Sequence, residues 1–164
     1  MPSDPLPLDW STGELAAGLN CYQREEFFDA HEHWENIWRQ SQGREKPFLQ
    51  ALIQVAGALH HYRRRNLRGC QALFRGAVRR LEPYPDCFGG VLLVPLRQEL
   101  AAWQLAVEKS LARESKVEGQ GLIATGAPVP SAALVSYPES YPKIHLAISD
   151  AKDQRDSGPA NSQE

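Results

Sequence analysis

Apolar residues recur at helical spacing along the first two thirds of the chain. Leu15, Ala16 and Leu19 share one face of a helix predicted over Thr12 to Tyr22. Phe27, Phe28, Trp34, Ile37 and Trp38 fit a second helix over Glu25 to Gln40, because strand alternation would scatter them to both sides. Gly43 closes that region and Pro47 opens a third helix to Arg65, whose buried stripe is Leu49, Leu52, Ile53, Ala56 and Leu59. Asn66 is placed to cap a fourth helix, Leu67 to Leu81, with Leu67, Cys70, Leu73, Phe74, Ala77, Val78 and Leu81 turned inward. Pro83 and Pro85 break the chain, and Gly89-Gly90 reads as a loop. Pro95 then starts a fifth helix to Arg113, with Leu96, Leu100, Trp103 and Val107 on its inner face. The expected fold class is all-α: an antiparallel helical bundle of about five helices with an irregular C-terminal tail.

The bundle domain is expected at residues 11–113, after a Pro-rich extended segment at 1–10. Residues 114–146 lose the helical period and read as an irregular, partly docked strap, ending in the dockable run Pro142 to Leu146. Residues 147–164 are polar and are expected to be disordered. A chain of 164 residues with 42% hydrophobic and 23% charged residues can bury one core, which excludes a wholly disordered or collagen-like chain. A net charge of -2 gives no bulk attraction to nucleic acid or an anionic membrane. Cys21, Cys70 and Cys87 are odd in number and widely spaced, which argues against a disulfide framework or a thiolate zinc site. The opening residues lack the basic start and apolar run of a signal peptide. No segment approaches the roughly 20 apolar residues of a membrane span, so a cytoplasmic location is expected.

The densest chemistry is Asp29-Ala30-His31-Glu32-His33-Trp34-Glu35. His31 and Glu35 stand four apart and share a helix face, a usable two-ligand spacing for a divalent metal. The helical zinc-protease pattern fails because the fifth position is Glu35 instead of His, and the di-iron pattern fails because position 28 is Phe. A third ligand is expected from His60, His61 or Gln54 on the third helix, with Glu32 as candidate catalytic base. The plainer reading is a polar network in which His31, Glu35, Gln54 and an arginine of the fourth helix satisfy one another.

Charge is segregated along the chain. Residues 47–81 contain Arg63, Arg64, Arg65, Arg68, Arg75, Arg79 and Arg80 and no Asp or Glu, whereas the second helix is acidic. Pairing with that helix and with the C-terminal dipole of the third accounts for most of this. Arg68, Arg75 and Arg79 also lie along one face that could take phosphate or another anion. No nucleic-acid recognition motif is visible.

The run Phe27-Phe28-Asp29-Ala30-His31-Glu32-x-Trp34-Glu35-x-x-Trp38 resembles the signature of the domain-of-unknown-function family 309. The likeness continues through Gln50-Ala51-Leu52-Ile53-Gln54, Ala58-Leu59-His60-His61, Asn66-Leu67-Arg68-Gly69-Cys70 and Leu81-x-Pro83-Tyr84. It implies an all-helical bundle of prokaryotic and plastid-type proteins with no established activity. By analogy the shared polar positions fall on His31, Glu32, Glu35, Gln54, Asn66 and Arg68. The family often has Phe-Asn-x-Gly ahead of the signature, where this chain has Tyr22-Gln23-Arg24-Glu25, so the turn is expected to be tighter or continuous. Cys70 replaces a small Ala, and Leu92 stands where an acid is frequent.

Three functional readings follow. The first is a non-enzymatic structural or interaction protein, with a homodimer as its candidate assembly, a polar core of His31, Glu35, Gln54 and Arg68, and Trp34, Trp38 and Trp103 around it or at a partner contact. The second is a metal-dependent hydrolase-type site on His31 and Glu35. The third is a module for a small anionic ligand on the arginine-rich helices. The candidate polar cluster is His31, Glu32, Glu35, Gln54, His61, Asn66 and Arg68, lined by Phe27, Trp34 and Trp38.

Overall fold

The computed structural model describes residues 8–119 and 136–147. Most of the expected 1–10 segment, the middle of the strap and nearly all of the 147–164 tail lie outside the described residues. Five helices carry the fold: α1 (Gly13–Gln23), α2 (Phe27–Gln40), α3 (Glu45–Arg63), α4 (Leu67–Leu81) and α5 (Leu93–Gly119). A short hairpin, β1 (Cys87–Phe88) and β2 (Val91–Leu92), joins the last two. The class is all-α, as the periodicity requires.

Each helix packs on its neighbours in sequence: α1 on α2, α2 on α3, α3 on α4 and α4 on α5. Short connections leave antiparallel docking as the available geometry. α3 is the central helix. Phe48, Leu49, Ala51, Leu52, Ile53, Val55, Ala56, Ala58 and Leu59 are all buried, a wider apolar surface than a one-sided stripe. It is wide because α3 is covered from both sides. No polar or charged side chain is fully buried among the described residues.

The α1–α2 and α3–α4 corners share one design. Glu26 N–H donates to the Cys21 carbonyl at 2.9 Å, and Asn66 N–H to the His61 carbonyl at 2.9 Å. These are the wrap-back bonds of a Schellman helix end. The pivots are Glu25 at φ 64° and Arg65 at φ 62°, both left-handed and neither a glycine. The turn before α2 is thus neither tighter than that motif nor continuous with α2. The chain places Glu25 in this sharp corner. The Arg63 guanidinium donates to the Glu25 carbonyl at 2.7 Å and ties the two corners together.

Two elements differ from expectation. Gly89 (φ 56°) and Gly90 (φ 80°) form a two-residue hairpin turn in place of an open loop, because only such residues adopt two successive left-handed conformations at little cost. α5 starts at Leu93, with Pro95 inside its first turn where a missing N–H costs nothing, and runs on past Arg113 to Gly119 because no helix breaker precedes Gly119. Residues 136–147 lie against the bundle. Val91 pairs antiparallel with Leu146, and the Leu92 N–H donates to the His145 carbonyl at 2.8 Å. The Tyr22 hydroxyl donates to the Pro142 carbonyl at 2.6 Å, and the Trp103 indole to the Ser140 carbonyl at 3.0 Å.

Candidate functional site

α2 lies between α1 and α3 and shows each a different face. Trp34 is fully buried toward α1, where its indole N–H donates to the Leu15 carbonyl at 3.3 Å. His31 turns toward α3: its Cδ2 edge is 4.0 Å from where a Cβ on Gly57 would stand. Ligand atoms of His31, Glu32 and Glu35 lie within 4.8 Å of one another. The His31 Nδ1 atom is 3.4 Å from Glu32 Oε1, but it is buried and makes no well-directed hydrogen bond. Glu35 is half-buried and pairs with Arg39 at 3.3 Å, a surface contact of little strength. One imidazole and two carboxylates are a donor set suited to zinc, manganese or iron(II). The expected third ligand from α3 does not join this group. Glu32 takes that place, one residue along the same helix, because a long carboxylate side chain can reach back to the imidazole.

On the other side of His31 a groove of about 250 Å³ opens between α2, α3 and α4. Gln54, His60 and His61 all line it with His31, so both histidines of α3 share this space. Its apolar walls are Phe28, Ile53 and Leu73. Phe28 is 53% exposed; its ring stacks near His31 and lies 5.3 Å from that of His60. Gly57 admits the close approach of Leu73, whose Cδ1 lies 3.1 Å from where a Cβ would stand. A glycine inside an otherwise strong helix is a sequence signal of such a close approach, and apolar periodicity alone passes over it. Burial and the charges of Arg64, His61, His31 and Arg63 hold the His60 imidazole below its ordinary pKa.

Asn66 caps α4, its Oδ1 accepting from the Gly69 N–H at 2.9 Å. Its Nδ2 then faces His61 Nδ1 at 3.0 Å. Gln54 Oε1 accepts from Arg80 at 3.2 Å. Residues 15–73 match the family model of DUF309, a domain of unknown function. No curated protein matches the chain.

The DUF309 match contains every residue of the His31–Glu32–Glu35 cluster and every lining residue of the groove. The hairpin, α5 and the strap lie beyond it. Within the DUF309 stretch the proposed polar core does not assemble. His31, Glu35 and Gln54 are only half-buried, Arg68 is exposed, and Arg80 is the arginine that reaches Gln54. The face Arg68–Arg75–Arg79 is also broken up, since Arg75 pairs with Glu108 of α5 at 3.1 Å. His33 points away from His31 to Glu14 at 2.5 Å.

The aromatic lining changes identity as well. Phe27 is 2% exposed and packs on Tyr22 and Tyr141, and Trp34 lies on the α1 side. Trp38 carries the Lys46 ammonium 4.7 Å above its ring. Trp103 is buried among Tyr62, Tyr137 and Tyr141 beneath the strap. Phe28 alone among the helix-two aromatics lines the groove. Among the described residues, no helix is long and apolar enough to cross a membrane.

Proposed function

We propose that the DUF309 region of this chain is a divalent-metal-binding helical domain, with His31, Glu32 and Glu35 as the protein ligands and with hydrolase-type chemistry at the ion. The observation that carries this reading is the convergence of ligand atoms of the three residues within 4.8 Å, beside a buried His31 Nδ1 that lies 3.4 Å from Glu32 and has no directed partner. A buried ring nitrogen needs a partner, and an ion between it and the two carboxylates supplies one. Only three protein groups would hold the ion, the arrangement in which metal sites keep a position open for water or substrate. An ion there would lower the pKa of its water and so generate a nucleophile near neutral pH. Glu32 belongs to the ligand set in this reading, and the groove beyond His31 is where a substrate would be oriented.

The test is elemental analysis of the purified, untagged chain, followed by calorimetric titration of zinc and manganese. The expected result is about one equivalent of metal, lost in both His31→Ala and Glu35→Ala. A chelator should lower the melting temperature and added ion should restore it. Wild-type protein that neither carries nor takes up an ion would overturn the reading.

A further inference from the structure

The groove between α2, α3 and α4 has a polarity of its own. No carboxylate lines it, whereas three imidazoles and two carboxamides do. The proton positions on these groups follow from their partners. Asn66 Oδ1 is committed as an acceptor to the Gly69 N–H, so the group facing His61 is the Asn66 amide donor. His61 Nδ1 must therefore accept, which puts the proton of the neutral ring on Nε2. Gln54 Oε1 is committed to Arg80, which leaves the Gln54 NH2 group as its available donor. Gln50 adds a second carboxamide one turn earlier. In the His31 ring, Nδ1 and Cδ2 lie on opposite sides of Cγ. With Nδ1 toward Glu32 and Cδ2 toward Gly57, the Nε2 edge belongs to the groove side. His61 and Gln54 thus offer N–H donors beside the apolar wall of Phe28, Ile53 and Leu73.

We propose that this groove binds a small oxyanion, a carboxylate or a phosphate, held by N–H donors of His61, Gln50 and Gln54 with the ligand's apolar part against Phe28, Ile53 and Leu73. Burial is the first cause of the lowered His60 pKa, and the Arg64 and Arg63 charges that add to it would also attract an anion. This site differs from the Arg68–Arg75–Arg79 face, which lies outside the groove lining. It deepens the metal-site reading by naming the substrate class, yet its contacts need no ion.

The experiment titrates inorganic phosphate and benzoate, separately, into the full chain at fixed ionic strength. Each titration is run once after chelator treatment and once with manganese, with chloride as control. Calorimetry and melting temperature are the readouts. Binding in the metal-free chain is expected, weakened about tenfold or more by Gln50→Glu, which sets a like charge in the groove, and by His61→Ala. Phosphate tighter than benzoate assigns a phosphate ligand, and the reverse order assigns a carboxylate. Should His61→Ala fail to fold, Gln50→Glu carries the comparison alone. Absence of binding for both anions overturns the proposal, while manganese uptake would leave the metal reading standing. Binding that requires manganese and ignores both variants also overturns it, because the anion then sits on the ion. Anion binding in a chain that takes up no metal supports the groove and overturns the metal reading.

Discussion

Trp34 and Gly18 show how much one residue position decides. Trp34 is fully buried, and a Cβ added at Gly18 would meet the indole ring closer than real Cβ contacts occur. Gly18 therefore sets the α1–α2 spacing by close approach. Gly18→Ala should lower stability by about 1–3 kcal/mol through overpacking, read as a shifted urea midpoint with unchanged slope. That Trp34 is interior was legible from residue type. That it faces α1, and so cannot line a site on the α3 side, depended on a helix rotation that spacing leaves coarse. The same rotation separates His31 from Trp34 and brings Phe28 beside His31 and His60.

At the scale of elements, helix ends were the most readable feature where a side chain made the stop. Asn66 as the α4 cap and Leu81 as its end are both found where expected. Corners built from backbone alone were harder to see. Glu25 and Arg65 adopt left-handed conformations with no glycine to announce them. Such a conformation strains an L-residue, so Glu25→Gly and Arg65→Gly should each raise stability by about 0.5–1 kcal/mol in chemical denaturation. The Glu25 carbonyl that Arg63 holds belongs to the backbone and survives the change. A destabilised glycine variant would mean that the side chain at the corner contributes more than the strain removes. The continuation of α5 to Gly119 had the opposite cause: a change in composition resembled an end, yet it contained no breaker.

Across the whole molecule, phenols and a thiol are held neutral by burial. Burial, then the charge of Glu99, raises the Tyr22 pKa above its ordinary value. Burial likewise raises those of Tyr62, Tyr84 and Tyr137, and pushes the Cys70 thiol up to about 12. Each group keeps its proton in the folded chain at a pH where the unfolded chain has released it. Stability from these groups is fully present below about pH 8.5, the ordinary Cys value, and falls as pH rises through the Tyr value of about 10 and beyond. Urea midpoints measured from pH 8 to 11 should therefore drop steeply, and Tyr22→Phe should flatten the drop. The same variant removes the hydroxyl that bonds the Pro142 carbonyl, so its midpoint at pH 8 should be lower than wild type by an amount equivalent to about 1 kcal/mol. An equal slope in both proteins would show that the strap contact does not carry the alkaline sensitivity.

The sequence by itself determined the helices, their order, their antiparallel packing and the placing of His31, Glu32 and Glu35 on α2, because periodicity, caps and breakers act within a few residues. It also placed Gln54 and His61 one helix away on α3 as companions of His31. Tertiary structure alone decided the rest. The rotation of α2 between α1 and α3 kept the α3 residues out of the ligand cluster, whose three members all stand on α2. Gly57 let α2 and α4 approach α3 closely enough to shape a groove. The Gly69–Asn66–His61 chain set which nitrogen carries a proton. The groove and the exclusion of α3 from the cluster depend on distances between side chains from different helices, and such distances are fixed only when the whole core is packed.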